Sequence, residues 1–340
     1  MMIDLNITWF GLVGILLTGY AILDGFDLGT GALHLFTRQD EHRRLFLNAI
    51  GPVWDGNEVW LVTGGGALFA AFPEAYATVF SGFYTAFILL LFALIFRAVA
   101  IEFRSKQPMA WWRRMWDTSF AVASVVCSLL LGVAFGNVIW GIPLDAEREF
   151  AGTFLSLLNP YALLVGITTV ALFMMHGAIY IVLKTEGELQ ALVRGWVNNT
   201  IIFFVICYGI ATMVTLLFAP HMSRHIIVYP ALFALPLLTM LAIANIPREI
   251  HHGRDFLAFL SSGAAIAGLM ALVAVGVFPY LVQSRPNPDF SLTIYNAASS
   301  PKTLLIMLVI AAIGVPMVLA YTASIYYIFR GKVKLDVMSY

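Results

Sequence analysis

The sequence predicts an all-α integral membrane protein, and three observations carry that prediction: its composition, the recurrence of long apolar runs, and the sorting of basic residues between them. Of its 340 residues 61% are hydrophobic and only 11% charged, with a mean hydropathy of +0.88. Soluble domains carry about 25% charged residues. About nine runs reach the roughly 20 apolar residues that a helix needs to cross the hydrocarbon layer.

In order, these runs cover roughly 9–36, 45–72, 76–101, 117–140, 155–183, 196–219, 226–246, 256–281 and 302–329. The opening "MMIDLNIT" has no positive stretch and carries Asp4, so the first run reads as a retained helix rather than a cleaved signal. The loops after the odd-numbered runs hold most of the Lys and Arg: Arg38, Arg43 and Arg44, then Arg104, Lys106, Arg113 and Arg114, then Lys184 and Arg194, then Arg248 and Arg254, then Arg330, Lys332 and Lys334. With Arg97 that is fifteen of the nineteen, and only Arg148, Arg224, Arg285 and Lys302 fall on the other side. The alternation supports an N-out, C-in topology. Most connections are short, so residues 1–340 read as a single transmembrane domain. The longest are the basic, tryptophan-rich "RSKQPMAWWRRMW" and the outer "QSRPNPDFSLTIYNAASSPK".

Several chemistries are excluded at this level. Lys plus Arg and Asp plus Glu both number 19, so no polyelectrolyte partner such as nucleic acid is indicated. Cys127 and Cys207 lie in apolar runs as small hydrophobes, not as a disulfide or metal pair. His42, His221, His225, His251 and His252 fall in predicted loops, where solvation is expected. Only His34 and His176 have apolar surroundings, and His176 beside Met174 and Met175 reads as packing rather than as a haem ligand. No set of converging histidines suggests a metal, and P-loop, HExxH and GxSxG patterns are absent.

The informative residues are charges inside the apolar runs. "GYAILDGFDLGTGAL" carries Asp24 and Asp27, three apart and so on one helix face. "GPVWDGNEVWLVTGGGALFAAFP" carries Asp55 and Glu58. Counted along continuous helices from the basic side, Asp27 lies about 14 Å deep and Asp55 about 15 Å, which would let the two share a polar pocket. A charge at the bilayer centre costs about 2.5–3.5 kcal/mol, so four acids need partners, protons or an inward orientation. Arg97 is the expected counter-charge, and Glu102 would extend the acids toward bulk water. Such a series suits a proton path. The glycines at 25, 29, 31 and 64–66 read as close helix contacts.

The segments "GYAILDGFDLGTGAL", "NAIGPVWDGNEVWLVTGGGALFAAFPEAYATVFSGFY", "FRAVAIEFRSK", "GVAFGN", "LLNPYALL" and "FPYLVQSRPNPDFSLTIYNAASSPKTL" resemble, in order from residue 19 to about 304, subunit II of the cytochrome bd quinol oxidases. That resemblance implies two four-helix bundles plus a peripheral helix. It also implies a respiratory complex of a bacterial or archaeal cytoplasmic membrane that oxidises quinol and reduces dioxygen to water without copper or proton pumping. Haem b and haem d would belong to the partner, subunit I, with room for small single-span accessory subunits. Subunit II would support the haem subunit, supply a cytoplasmic proton path and offer an apolar route for oxygen. By motif position Asp27 and Asp55 resemble the family's proton-path acids, and Glu102 takes a place often held by aspartate. The short "APHMSRH" connection departs from members with a long outer insertion there.

Two other readings compete with a proton-conducting oxidase subunit. One is a proton-coupled secondary transporter using Asp24 and Asp27 near Gly64–Gly66. The other is a purely structural subunit whose acids pair with charges on its partner.

Overall fold

The computed structural model describes residues 4–285 and 287–335, and the chain is built almost wholly of helices. They are α1 (Leu5–Leu33), α2 (Asp40–Ile50), α3 (Trp54–Ala71), α4 (Pro73–Gly82), α5 (Tyr84–Phe103), α6 (Ala110–Trp140), α7 (Pro160–Lys184), α8 (Gly187–Phe218), α9 (Arg224–Val228), α10 (Ala234–His251), α11 (Asp255–Val277) and α12 (Pro301–Ile328). Their starts follow local chemistry. The Asp4 carboxylate accepts the N–H groups of Asn6 and Ile7 to open α1. Asn159 and Ser300 cap α7 and α12, each followed by proline at the first helical position, where its missing N–H has no consequence.

Among the described residues, eight helices are long and apolar enough to cross a membrane. The second expected run, 45–72, is not one helix. It divides at Gly51–Val53 into α2 and α3, because Pro52 has no N–H to continue the ladder and disfavours helical geometry in the residue before it. The third run divides at Phe83 into α4 and α5. The 18-residue α3, with two acids and four glycines, is not among the eight. Asp55 therefore lies in the first turn of a new helix, not three turns into a continuous one, and the 15 Å depth inferred for it does not hold.

Helices α1, α6 and α7 form the centre of the packing: α7 lies against α6, α1, α8 and α11, α6 also against α5, α1 also against α3, and α10 against α11. Helix α1 crosses α7 at close range. At Gly29 an added Cβ would lie 1.7 Å from the Phe173 carbonyl oxygen, and at Gly177 it would lie 2.4 Å from the Thr30 nitrogen. Backbones touch there, and no side chain fits between them. Gly132, Gly136 and Gly166 allow a similar approach of α6 and α7. Gly65 and Gly66, by contrast, face open space within this chain. Helix α12 runs along α1 and α3 and is mostly exposed.

One end of the assembly carries the basic loops. The Lys184 ammonium donates to the Phe329 carbonyl, and Lys332 donates to the Leu183 carbonyl at 2.9 Å, so the ends of α7 and α12 are tied together there. At the opposite end a short antiparallel pair, β1 (Tyr280–Val282) and β2 (Leu292–Thr293), covers the bundle. The Arg285 guanidinium stacks 3.6 Å above the Trp140 ring. His221 is half-buried there and donates from Nε2 to the Ile139 carbonyl at 3.0 Å. Burial holds its imidazole below the ordinary range; the bond to Ile139 opposes this and Arg285 adds to it. His42, expected in a solvated loop, lies within α2 and is buried, since its helix packs against α1 and α7.

Candidate functional site

The last third of α1, residues 24–33, is buried on every side. An ordinary amphipathic helix would leave one face outward, but here α3, α6, α7 and α11 all pack against it. Both Asp24 and Asp27 consequently have no exposure at all. Arg97 reaches them from α5 and is itself fully buried.

Arg97 Nη2 lies 2.6 Å and Nη1 3.2 Å from the two oxygens of Asp24, forming a two-pronged pair. Nη1 also donates to Glu58 Oε1 on α3 at 2.8 Å, and Nη2 stands 3.9 Å from Asp27 Oδ2. One cation is thus shared among three acids. If all three were ionised, two negative charges would be left uncompensated in a low-dielectric interior, an arrangement that favours retention of protons within the cluster. Glu58 is the member nearest the surface, with 24% of its side chain exposed.

Asn57 joins the cluster from α3. Its Nδ2 donates to Asp27 Oδ2 at 2.8 Å and to the Leu23 carbonyl at 3.2 Å. Its Oδ1 accepts the Tyr326 hydroxyl of α12 at 2.9 Å. Among the described residues, Asp27 Oδ1, Thr30 Oγ1 and Arg97 Nε in this region are buried without a hydrogen-bond partner.

The other two acids singled out by sequence stand apart. Asp55 is exposed, whereas Asp27 is fully buried, so they do not share a pocket. Helical rotation explains the difference: Asn57, two residues on and about 200° around α3, faces Asp27 in place of Asp55. Glu102 is half-buried on α5, about 7.5 Å along the axis from Arg97.

A second charged cluster was not anticipated. Asp117 of α6 receives His34 Nε2 at 2.6 Å, Arg104 Nε at 2.6 Å and Arg43 Nη1 at 2.9 Å. Arg104 continues to Asp40, which also meets Arg113. The group staples the ends of α1, α2, α5 and α6 at the basic end. Asp117 opens the fourth apolar run, directly after the tryptophan and arginines of "RRMW", and nothing there singles it out. Its partners are distant in sequence, so spacing could not reveal them.

His176 does not fit a haem. Its Nε2 donates to the Ile22 carbonyl at 3.0 Å, its Nδ1 meets Ser262 Oγ at 2.7 Å, and its ring stacks on Phe259. Both nitrogens are engaged in joining α1, α7 and α11. Among the described residues, no three His, Cys, Asp or Glu side chains converge as a metal site.

Comparison with known proteins places this architecture in context. The sequence profile of the family "Cytochrome bd terminal oxidase subunit II" matches residues 5–329. The chain is 35% identical over 360 aligned residues to cytochrome bd-I ubiquinol oxidase subunit 2 of Escherichia coli (strain K12), covering 97% of this chain and 95% of that one. It is 34% identical over 334 residues to cytochrome bd ubiquinol oxidase subunit 2 of Bacillus subtilis (strain 168), covering 98% of both. Its fold is similar to a chain in the structure of bd oxidase from Geobacillus thermodenitrificans, with a TM-score of 0.80 at 15% identity over 96% of this chain and 98% of that one.

Proposed function

Because this chain belongs to the cytochrome bd terminal oxidase subunit II family, we propose that it supplies protons from the cytoplasm to a haem-bearing subunit I, where quinol oxidation is coupled to reduction of dioxygen to water. The observation that carries this reading is the gathering of Asp24, Asp27 and Glu58 around the single buried guanidinium of Arg97. An acid cluster with more carboxyls than cations holds protons that can leave and be replaced. A cluster with matched charges would hold none.

In this reading the chain lies N-out and C-in in a bacterial cytoplasmic membrane. Glu102 and Asp55 take protons up near the basic, cytoplasmic end. Asp27 and Glu58 hold them beside Arg97, and Glu58, the partly exposed member, passes them to the partner. Asp24, bound by two prongs, fixes Arg97. Quinol releases protons on the outer side and oxygen reduction consumes protons from the inner side, so charge is separated without pumping. Haem b and haem d reside in the partner and supply the redox chemistry; the residues of this chain hold and move protons. The family assignment favours this reading over a secondary transporter.

The test is Asp55→Asn and Asp27→Asn in the assembled complex. Quinol-driven oxygen consumption should fall at least about tenfold while the haem absorbance per complex stays at its wild-type level. Wild-type turnover in both variants would refute the proton role, and loss of haem-bearing complex would point to a structural one.

A further inference from the structure

The acid cluster contains an asymmetry that names the proton-bearing atom of Asp27. The two oxygens of this carboxyl have unlike surroundings. Oδ2 accepts the Asn57 amide at 2.8 Å and stands 3.9 Å from Arg97 Nη2, whereas Oδ1 is buried and has no partner among the described residues. Positive neighbours stabilise a lone pair at Oδ2, so a proton resident on this group sits on Oδ1.

The asymmetry depends on which way the Asn57 amide points, and two contacts fix that. The Leu23 carbonyl can only accept, so the amide edge facing it must be the NH2. From the other side the Tyr326 hydroxyl donates to Asn57 Oδ1 at 2.9 Å. A turned amide would set its oxygen against both the Leu23 carbonyl and Asp27 Oδ2 and would leave Tyr326 facing N–H groups.

We infer that Tyr326, acting through Asn57, is a positioning residue that holds Asp27 Oδ1 as the site of the transferable proton. The inference rests on the proton-path reading above. It assigns a role to the peripheral α12, whose hydroxyl reaches the cluster although most of the helix is exposed.

The experiment uses the purified two-subunit complex carrying Tyr326→Phe, Asn57→Leu or Asp27→Asn. It reads quinol-driven oxygen consumption together with the carboxylic C=O stretch in redox-difference infrared spectra. Asp27→Asn should remove one carboxylic band. Tyr326→Phe should keep the haem spectrum and the KM for quinol and lower kcat about fivefold, the equivalent of one net hydrogen bond. It should also move that band to higher wavenumber, because Asp27 Oδ2 loses a firmly held N–H donor. Asn57→Leu, which leaves α12 intact, should move the band in the same direction. An unshifted band in both Tyr326→Phe and Asn57→Leu, with Asp27→Asn still impaired, overturns the positioning role and leaves the proton path standing. Wild-type turnover in Asp27→Asn overturns the path and the inference with it.

Discussion

Arg97 holds Asp24 by both terminal nitrogens, at 2.6 and 3.2 Å, and neither side chain has any exposure. Removing one partner of such a pair leaves the other charge buried alone, at about 3–5 kcal/mol. Arg97→Gln and Asp24→Asn should each lower the melting temperature and yield of the complex, followed by its haem absorbance. The double variant should lose less than the sum of the two, because neither charge is then stranded.

Gly29→Ala and Gly177→Ala test the crossing of α1 and α7. A methyl group at Gly29 would fall 1.7 Å from a backbone oxygen that no rotamer can move. Overpacking of that kind costs about 3 kcal/mol or more, and both variants should fail to accumulate in membranes. Gly14→Ala, with nothing within 4 Å of the added atom, should accumulate as wild type does.

Asp117→Asn separates support from proton traffic. It releases His34, Arg43 and Arg104 together and should destabilise the basic end by about 3 kcal/mol. Trypsin should then cut more readily at Arg38, Arg43 or Arg44. Oxygen consumption per assembled, haem-loaded complex should stay unchanged, since Asp117 lies outside the Arg97 cluster.

His221 predicts a pH dependence at the opposite end. The fold favours its neutral form, so above the ordinary value of about 6.5 both states are neutral and nothing is gained or lost. As pH falls below that value the unfolded chain takes the proton first, and stability declines until the folded-state value is passed. Melting temperatures measured from about pH 7.5 to about pH 5.5 should show this decline, and His221→Gln should flatten part of it.

Much of the architecture was legible in the sequence because bilayer thickness and the cost of charge impose strong patterns. Apolar runs, alternating basic loops and the positions of Asp24, Asp27, Glu58 and Arg97 all stood out. What did not stand out depends on rotation and on long-range contact. The break at Pro52 was hidden inside an apolar run, and it moved Asp55 to an exposed first turn while bringing Asn57 to Asp27. Neutral Asn57 and Tyr326 cost little in an apolar run, so neither drew notice. Asp117 and His34 are 83 residues apart, and nothing local signals that they meet. The match at 35% identity supports the family but says nothing about which carboxyl oxygen carries a proton.

The bond between Asn57 and Tyr326 joins positions 269 residues apart, and this separation has a consequence for biosynthesis. A ribosome must extend the chain 269 residues beyond that amide before it meets its phenol. Until then Asn57 lacks the hydroxyl that its Oδ1 accepts. Helix α12, made after the helices that carry the acids, therefore acts as the closing catch, and a nascent chain cut short before Tyr326 leaves that catch open.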